Sequence, residues 1–346
     1  MTTPPSRIAR IAVPVPLHRL FDYAVPESVP LPVIGARVAV PFAGRRLVGV
    51  VIELNPEDAH DRVRPLTAVL DEESVLGDEV FALAVWLSSY YQHPLGEVLT
   101  TLLPGAARKP EPPKIRRPEV WELAVNAADL KRAPRQQALF ELIRSSGGRL
   151  AGGDIRAAGF ERSHLRGLAA KGFIRKCEAV APLQPRPEVD LPELNPEQAA
   201  ALAALERSAG FNPVLLDGIT GSGKTEVYLR FIEQVLDAGR QVLVLVPEIA
   251  LTPQTLARFE ARFGTAAVMH SNLTDTARLQ VWLRVRSGEA RILIGTRSAV
   301  LTPFADLGLI VVDEEHDSSF KQTDGLRYSA RDLAVKRARD LNIPLI

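Results

Sequence analysis

The octet Gly218-Ile219-Thr220-Gly221-Ser222-Gly223-Lys224-Thr225 fits the spacing G-x-x-x-x-G-K-[ST], and its residue types specify chemistry more directly than any other part of the chain. Glycines let a loop turn several backbone N–H groups toward one point, which suits phosphate oxygens. Lys224 is placed to neutralise β- and γ-phosphate oxygens, and Thr225 to offer a hydroxyl to Mg²⁺. The expected ligand is a nucleoside triphosphate, ATP, held with Mg²⁺ by Gly218 to Thr225.

A second cluster, Asp313-Glu314-Glu315-His316, follows the apolar run 309–312. In P-loop proteins an acid at a strand end holds Mg²⁺, and a neighbouring carboxylate can take a proton from the attacking water. Asp313 is assigned to the metal and Glu314 to the water. An isolated D-E-E-H would be read as an acidic turn in solvent, and only its pairing with the P-loop changes that reading. Residues 246–254 and Gly295-Thr296-Arg297-Ser298-Ala299 also follow apolar runs, where open α/β sheets place ligand-contacting groups. Arg297, Thr296 and Ser298 can bind a phosphodiester without reading sequence, with turn and N-cap roles as the alternative. Such insertions favour an ATP-driven motor over a small-molecule kinase.

Alternating strands and helices must position these groups. Strands are expected at 213–217, 241–246, 291–295 and 309–313, with helices at 225–237, 253–263 and 277–286, and the run 267–269 precedes a polar stretch. Continuous apolar strands between amphipathic helices imply a parallel sheet covered on both faces. Proline clusters at 104–118 and 182–196 divide the chain into 1–105, 106–187 and 188–346. Short β-branched runs in the first piece predict a small β-barrel or sandwich, followed by a helix over 78–92 that presents Val80, Leu83, Ala84 and Leu87 on one face. The middle piece reads as helix, helix, helix, hairpin, with helices at 136–144, 152–158 and 161–171 and then a strand at 173–180. That order suits a winged-helix domain with Arg162, Arg166, Lys171, Arg175 and Lys176 toward a groove; solvated faces of a helical linker are the plainer reading. The fold class is thus multidomain α/β.

The 42 Lys+Arg and 41 Asp+Glu give a formal charge of +1, which nominates no partner. By piece, 8 basic against 12 acidic, 17 against 8 and 17 against 21 give −4, +9 and −4, so the middle segment holds the positive excess. A single cysteine, Cys177, excludes an intramolecular disulfide framework and a thiolate zinc site within these residues. No run approaches the roughly 18 apolar residues of a spanning helix, so no membrane partner is expected and the compartment is read as cytoplasmic.

The order Asn195-Pro-Glu-Gln198, GITGSGKTEVY, VPEIALTPQ, HSNL, GTRSA, VVDEEHDSSFKQ and RYSARDLAVKRA resembles the superfamily 2 helicase core of the bacterial replication-restart DNA helicases, the primosomal protein N-prime family. PVPLHRLFDYAVPE and VAVPFAGRRLVGVV are similar to that family's 3′-DNA-binding domain, so the resemblance covers nearly the whole chain. It implies a 3′-DNA-binding domain over 1–105, a winged helix over 106–187 and a RecA-like first helicase lobe over 188–346. It also implies an ATP-dependent 3′–5′ helicase that recognises abandoned replication forks and initiates restart by primosome assembly. By resemblance Gln198 reads adenine, and residues 317–328 form an aromatic-rich loop that senses single-stranded DNA. In that loop Phe320 and Tyr328 would stack on bases while Lys321 and Arg327 hold phosphates. Phe21, Asp22 and Arg64 match the pocket for a 3′ end, and Ala43 stands beside Gly44 where the family has Phe-Gly. The family's second lobe, arginine finger and zinc-binding cysteines are not among these residues, so Zn²⁺ is expected only in a C-terminal part beyond them. The chain alone is expected to bind forked and single-stranded DNA, to bind ATP weakly and not to unwind. Implied partners are other primosome proteins, a replicative helicase loader and single-strand-binding protein. A fork-binding scaffold with dispensable hydrolysis, and a duplex translocase without end recognition, are the rival readings.

Overall fold

The computed structural model describes residues 7–58, 63–111, 119–125, 127, 128, 130, 133–178, 191–207, 210–219 and 221–346. The chain divides into two units, Met1–Lys114 with Pro185–Ile346, and Ile115–Gln184. Among the described residues no helix is long and apolar enough to cross a membrane.

The first unit begins with β1 (Ile8–Ala12), β2 (Phe21–Ala24), β3 (Arg37–Phe42), β4 (Arg45–Leu54), β5 (Arg64–Pro65) and β6 (Ala68–Val69). They form one sheet in the order β5-β2-β1-β4-β3-β6. Its outermost strands, β5 and β6, are separated in sequence only by Leu66 and Thr67, so the sheet must curl until its edges meet. The Leu66 N–H donates to Ala24 O at 3.0 Å and the Thr67 N–H to Ala39 O at 2.8 Å, one bond toward each side. The result is a barrel-like sheet rather than a sandwich, and alternation along its strands turns Ile11, Val38, Val40 and Val51 into its core. Next come α1 (Gly77–Tyr90) and α2 (Leu95–Leu102). The residues that α1 buries are Val80, Leu83, Ala84 and Leu87, the face expected from their spacing.

In the second unit β7 (Glu119–Leu123), α3 (Pro134–Ser145), β8 (Arg149–Ala151), α4 (Gly152–Ala157), α5 (Arg162–Ala170) and β9 (Ile174–Glu178) make three helices and a three-stranded antiparallel sheet, order β8-β7-β9. Leu139, Phe140, Ile143, Ile155, Leu165 and Leu168 form its core. Among the described residues the strand expected at 173–180, β9, pairs with β7 ahead of the helices, not with a following hairpin partner. β8 escapes a sequence reading because it is only three residues long. Three of the five basic residues expected to face a groove are engaged locally: Lys176 with Glu119 at 2.6 Å, Arg175 with Glu122, and Lys171 with Gln136 at 2.7 Å. Arg162 and Arg166 are exposed on α5.

The first unit resumes with α6 (Pro196–Glu206), α7 (Lys224–Asp237), β10 (Gln241–Leu245), α8 (Pro253–Phe263), β11 (Ala267–Met269), α9 (Asp275–Arg286), β12 (Ile292–Gly295), β13 (Leu307–Val312) and α10 (Ala330–Asp340). The sheet is parallel in the order β11-β12-β10-β13. Alternate residues Val242, Val244, Ile292, Ile294, Leu309 and Val311 pack with Val227, Phe231 and Ile232 of α7 and Phe259 of α8. One expected strand is corrected. Of residues 213–217 only Pro213 pairs, by a single bridge to Leu345, which makes a second bridge to Ile310. The bonds of the Pro213 bridge come from its neighbours, the Val214 N–H to Leu345 O at 2.8 Å and the Leu345 N–H to Asn212 O at 3.4 Å, and beyond it Leu215, 75% exposed, has no face to bury against.

Arg337, fully buried on α10, ties this sheet domain to the barrel domain. It donates to both carboxylate oxygens of Glu79 on α1, at 2.8 and 2.6 Å, and to Val300 O and Thr302 O at 2.6 and 3.0 Å. A charge buried with that many acceptors is strongly destabilising to unpair, so the link between α1 and the segment after Ala299 is stiff.

Candidate nucleotide site and nucleic-acid interface

The loop before α7 takes its shape from two left-handed residues, Gly221 at φ +83° and Gly223 at φ +86°. Gly223 is also the N-cap of α7, and a Cβ there would lie 2.2 Å from Gln198 Nε2, so conformation and space both demand glycine. Thr220 lies outside the described residues. Lys224 donates to Gly218 O and, at 3.5 Å, to Ile219 O. Gln198 is spent on the fold: its Oε1 accepts from the Asn195 N–H at 3.0 Å, closing a capping box on α6, and its Nε2 donates to Ser222 O at 2.9 Å. Its place in this structure is as a brace under the phosphate loop.

Asp313 stands immediately beyond β13, held there by its N–H donating to Leu245 O at 2.9 Å. The Tyr228 hydroxyl donates to Asp313 Oδ2 at 3.3 Å, and Tyr228 stands one helical turn beyond Thr225 on α7. Tyr228 thus ties Asp313 to the helix that carries Thr225, the other residue expected to hold Mg²⁺. Burial pushes the Asp313 carboxyl above the ordinary aspartate range, and the neighbouring Glu314 pushes it the same way. Burial also raises the Tyr228 phenol, and the Asp313 charge adds to this. A half-buried carboxylate whose ionised form is disfavoured, next to a hydroxyl and a glycine-lined helix N-terminus, fits a divalent cation with a polyphosphate. Glu314, at φ +50°, is exposed on the rim and lies 3.8 Å from His316. The cleft has a volume of about 430 Å³ and is lined by Gly221 to Thr225, Arg258, Asp313 and Glu314.

The segment after β12 turns at Thr296, which is buried and donates its N–H to Met269 O at 3.1 Å. Arg297 reaches across to donate to Ser319 O at 3.2 Å and Lys321 O at 2.8 Å, so it holds the 317–328 loop by its backbone. That loop closes on itself through the Gln322 N–H to Tyr328 O bond, 2.8 Å, and a bridge between Lys321 and Ser329. Phe320 and Tyr328, expected to stack on bases, are both buried within the loop in this structure. Phe320 is 2% and Tyr328 5% exposed, and burial pushes the Tyr328 phenol up to about 12. Their large apolar surfaces anchor the loop, while Lys321 and Arg327 remain exposed to solvent.

In the barrel, Phe21 meets Phe42 edge-on at 5.0 Å, and the Arg19 guanidinium lies 4.7 Å from the Phe21 ring centre. Asp22 follows on the same strand and so points to the opposite face, where Arg10 donates to Oδ1 at 2.9 Å and Oδ2 at 3.3 Å. The two side chains therefore diverge, and Phe21 can join Asp22 at one ligand only through its backbone. Arg64 lies opposite Tyr23 in the β2–β5 pairing and is exposed. Ala43 and Gly44, at φ +44° and +76°, form a two-residue turn between the paired Phe42 and Arg45.

Two family models match: a 3′-DNA-binding domain over residues 10–104 and a DEAD/DEAH box helicase over residues 195–343. The replication restart protein PriA of Haemophilus influenzae is 42% identical over 98% of this chain and 48% of its own length. Those of Chlamydia pneumoniae and Bacillus subtilis are 34% and 30% identical, over 96% and 95% of this chain and 46% and 51% of their own. The chain belongs to the PriA family of replication restart proteins. It spans about half the length of the curated relatives it matches.

The PriA-family regions coincide with the geometry: the first model spans the barrel, α1 and α2, and the second runs from α6 through α10. Residues 115–184, the separate unit, lie between them. Two side chains at the nucleotide cleft escaped the motif reading. Tyr228 carried a usable signal, three residues after Thr225 and hence on the same face of α7. Arg258 on α8 carried none, because only the packing of α8 beside α7 brings it to the cleft.

Proposed function

We propose that this chain serves an ATP-dependent 3′–5′ DNA helicase that recognises stalled or abandoned replication forks and initiates primosome assembly. The observation that carries the reading is the Tyr228–Asp313 bond, one helical turn from Thr225 and beside the glycine loop, in one unit with a barrel that matches a 3′-DNA-binding domain. Bound MgATP supplies the free energy of phosphoryl transfer. Lys224 provides the positive charge for phosphate oxygens, Thr225 and Asp313 the oxygens for Mg²⁺, and Glu314 the carboxylate for the proton of the attacking water. Arg297 couples the sheet to the 317–328 loop, whose exposed Lys321 and Arg327 meet phosphates without reading sequence. In the barrel, Asp22 retains lone pairs beyond its two bonds from Arg10, and a terminal 3′-hydroxyl is a donor that an internal phosphodiester lacks.

The three-helix, three-stranded middle unit supports a winged-helix reading, with Arg162 and Arg166 of α5 toward duplex. The proposed partners are forked DNA, other primosome proteins, a helicase loader and single-strand-binding protein, and the proposed compartment is the cytoplasm. The 346 residues alone are expected to bind a fork and not to unwind it. The test compares fork binding with a 3′-hydroxyl and a 3′-phosphate at the nascent end, alongside MgATP binding and strand separation. Tighter binding of the 3′-hydroxyl fork supports the reading. Equal affinity removes end recognition, and strand separation by the purified chain removes the claim about these residues.

A further inference from the structure

Two clefts outside the nucleotide site meet at one side chain. The smaller, about 240 Å³, lies between the barrel and α2 and is lined by Arg46, Arg108 and Lys109, with no carboxylate among its described lining residues. The larger, about 490 Å³, is lined by Arg108, Arg278, Ser298 and Gln322, together with the carboxylates Asp275 and Asp324, and so reaches the 317–328 loop. Arg108 belongs to both. The three basic residues of the smaller cleft are exposed; Arg46 belongs to the piece 1–105, net charge −4, and Arg108 and Lys109 open the piece 106–187, net charge +9.

The connector that presents Arg108 and Lys109 is held from inside. Arg37, fully buried, donates to both carboxylate oxygens of Asp71 at 2.7 Å, to Ala107 O, and to Lys109 O at 3.0 Å. With those carbonyls fixed inward, the side chains of 108 and 109 stay at the surface. On the other flank Gly105 lies so close to α9 that a Cβ would come within 2.6 Å of Asp275 Oδ2. Arg278 is aimed by its bonds to His270 O at 3.0 Å and Ser298 Oγ at 3.4 Å. Burying a guanidinium to pin so short a connector is costly, and what it secures is the placement of two cations.

We propose that Arg46, Lys109, Arg108 and Arg278 form a phosphodiester track that holds a single DNA strand between the barrel and the 317–328 loop. The proposal rests on the reading of the chain as a DNA-binding protein. Positive charge without carboxylates in the first cleft suits a polyanion, and continuity with Ser298 and Gln322 suits one that continues to the motor lobe.

The test measures binding of a fluorescein-labelled oligothymidylate, about twenty residues long, over a range of salt concentrations. Each phosphate contact on a single strand contributes about 0.7 to the slope of log K against log salt. The triple variant Arg46→Ala, Arg108→Ala, Lys109→Ala is expected to lower that slope by about 2 and to weaken binding about tenfold or more at low salt. Arg339→Ala, which removes an exposed charge on α10 away from the track, is expected to keep the wild-type slope. A urea midpoint for the triple variant serves as the folding control. If it has fallen, Arg108→Gln alone should still lower the slope by about 0.7. A wild-type chain that binds neither oligothymidylate nor fork overturns the DNA reading itself. Wild-type binding with an unchanged slope in the triple variant overturns the track alone. Loss of oligoglutamate binding with DNA binding intact overturns it in favour of an acidic polypeptide.

Discussion

The phosphate loop at 218–225 and the loop at 317–328 lie in the same sheet domain, yet they present their chemistry in opposite ways. In the first, function sits in the backbone. Gly221 and Gly223 supply left-handed turns that aim N–H groups, and the side chains that matter, Lys224 and Thr225, begin a helix whose position those glycines determine. In the second, the most conspicuous side chains are withdrawn. Phe320 and Tyr328 form the loop's own core, and Arg297 grips its carbonyls, so the basic Lys321 and Arg327 face outward while the rings do not. A loop shaped by glycine leaves its cavity open for a ligand. A loop shaped by aromatic burial fills its own interior.

The largest test of that contrast is Phe320→Ala. If the ring anchors the loop, truncation removes a fully buried side chain and costs about 3–5 kcal/mol of stability, read as a lower urea midpoint. If the ring instead leaves the core to stack on a base, stability stays near wild type and single-strand binding falls by about 1–3 kcal/mol. The second outcome would break the comparison.

Lys224→Ala probes the other side. Removing the charge should weaken MgATP binding by about 1.5–3 kcal/mol, roughly ten- to a hundredfold, in a fluorescent-nucleotide titration. The urea midpoint should hardly move, because Lys224 makes only solvent-facing bonds to Gly218 and Ile219 carbonyls. A large loss of stability with MgATP affinity intact would make Lys224 a structural residue.

Asp313→Asn sharpens the comparison through pH. The folded-state pKa of Asp313 is raised, so its ionised form is the one the fold disfavours. The stability it contributes is present below the unfolded-state value and is lost as pH rises through the folded value. In the absence of nucleotide and metal, the asparagine variant should match wild type in acid and become the more stable protein toward neutral pH. Its MgATP binding should meanwhile be lost. Equal stability at every pH would remove the strain assigned to this carboxylate.

These contrasts explain what could be read from residues alone. Motifs whose meaning is local were legible: the glycine spacing, the strand-end position of Asp313, the buried face of α1 and the bounds of α8. The closure of the barrel was not, because it depends on Leu66 and Thr67 joining strands from opposite ends of a six-stranded order. The packing of Gln198, Phe320 and Tyr328 was not legible for one physical reason: residue type and spacing do not report which partner a side chain meets after packing. The run 213–217 misled in the other direction, since it was counted as a strand although Leu215 is left 75% exposed.

The smallest effect lies in the barrel, where a turn combines both strategies. The turn between β3 and β4 uses two left-handed residues as the phosphate loop does, but the first is Ala43 rather than glycine or asparagine. Turns with two positive φ angles favour Asn-Gly because an L-residue with a Cβ is strained there. Ala43→Asn should therefore stabilise the chain by a few tenths to about 1 kcal/mol. Ala43→Gly should gain less, because glycine also adds conformational freedom to the unfolded chain. Phe42 ends the strand beside this turn and touches Phe21, so the same variants report on the end pocket. If the methyl of Ala43 crowds a terminal base, Ala43→Gly should tighten binding of a 3′-hydroxyl end more than Ala43→Asn does, although Ala43→Asn is the more stabilising. Parallel changes in stability and end affinity across the two variants would mean that Ala43 acts only through the strain of the turn.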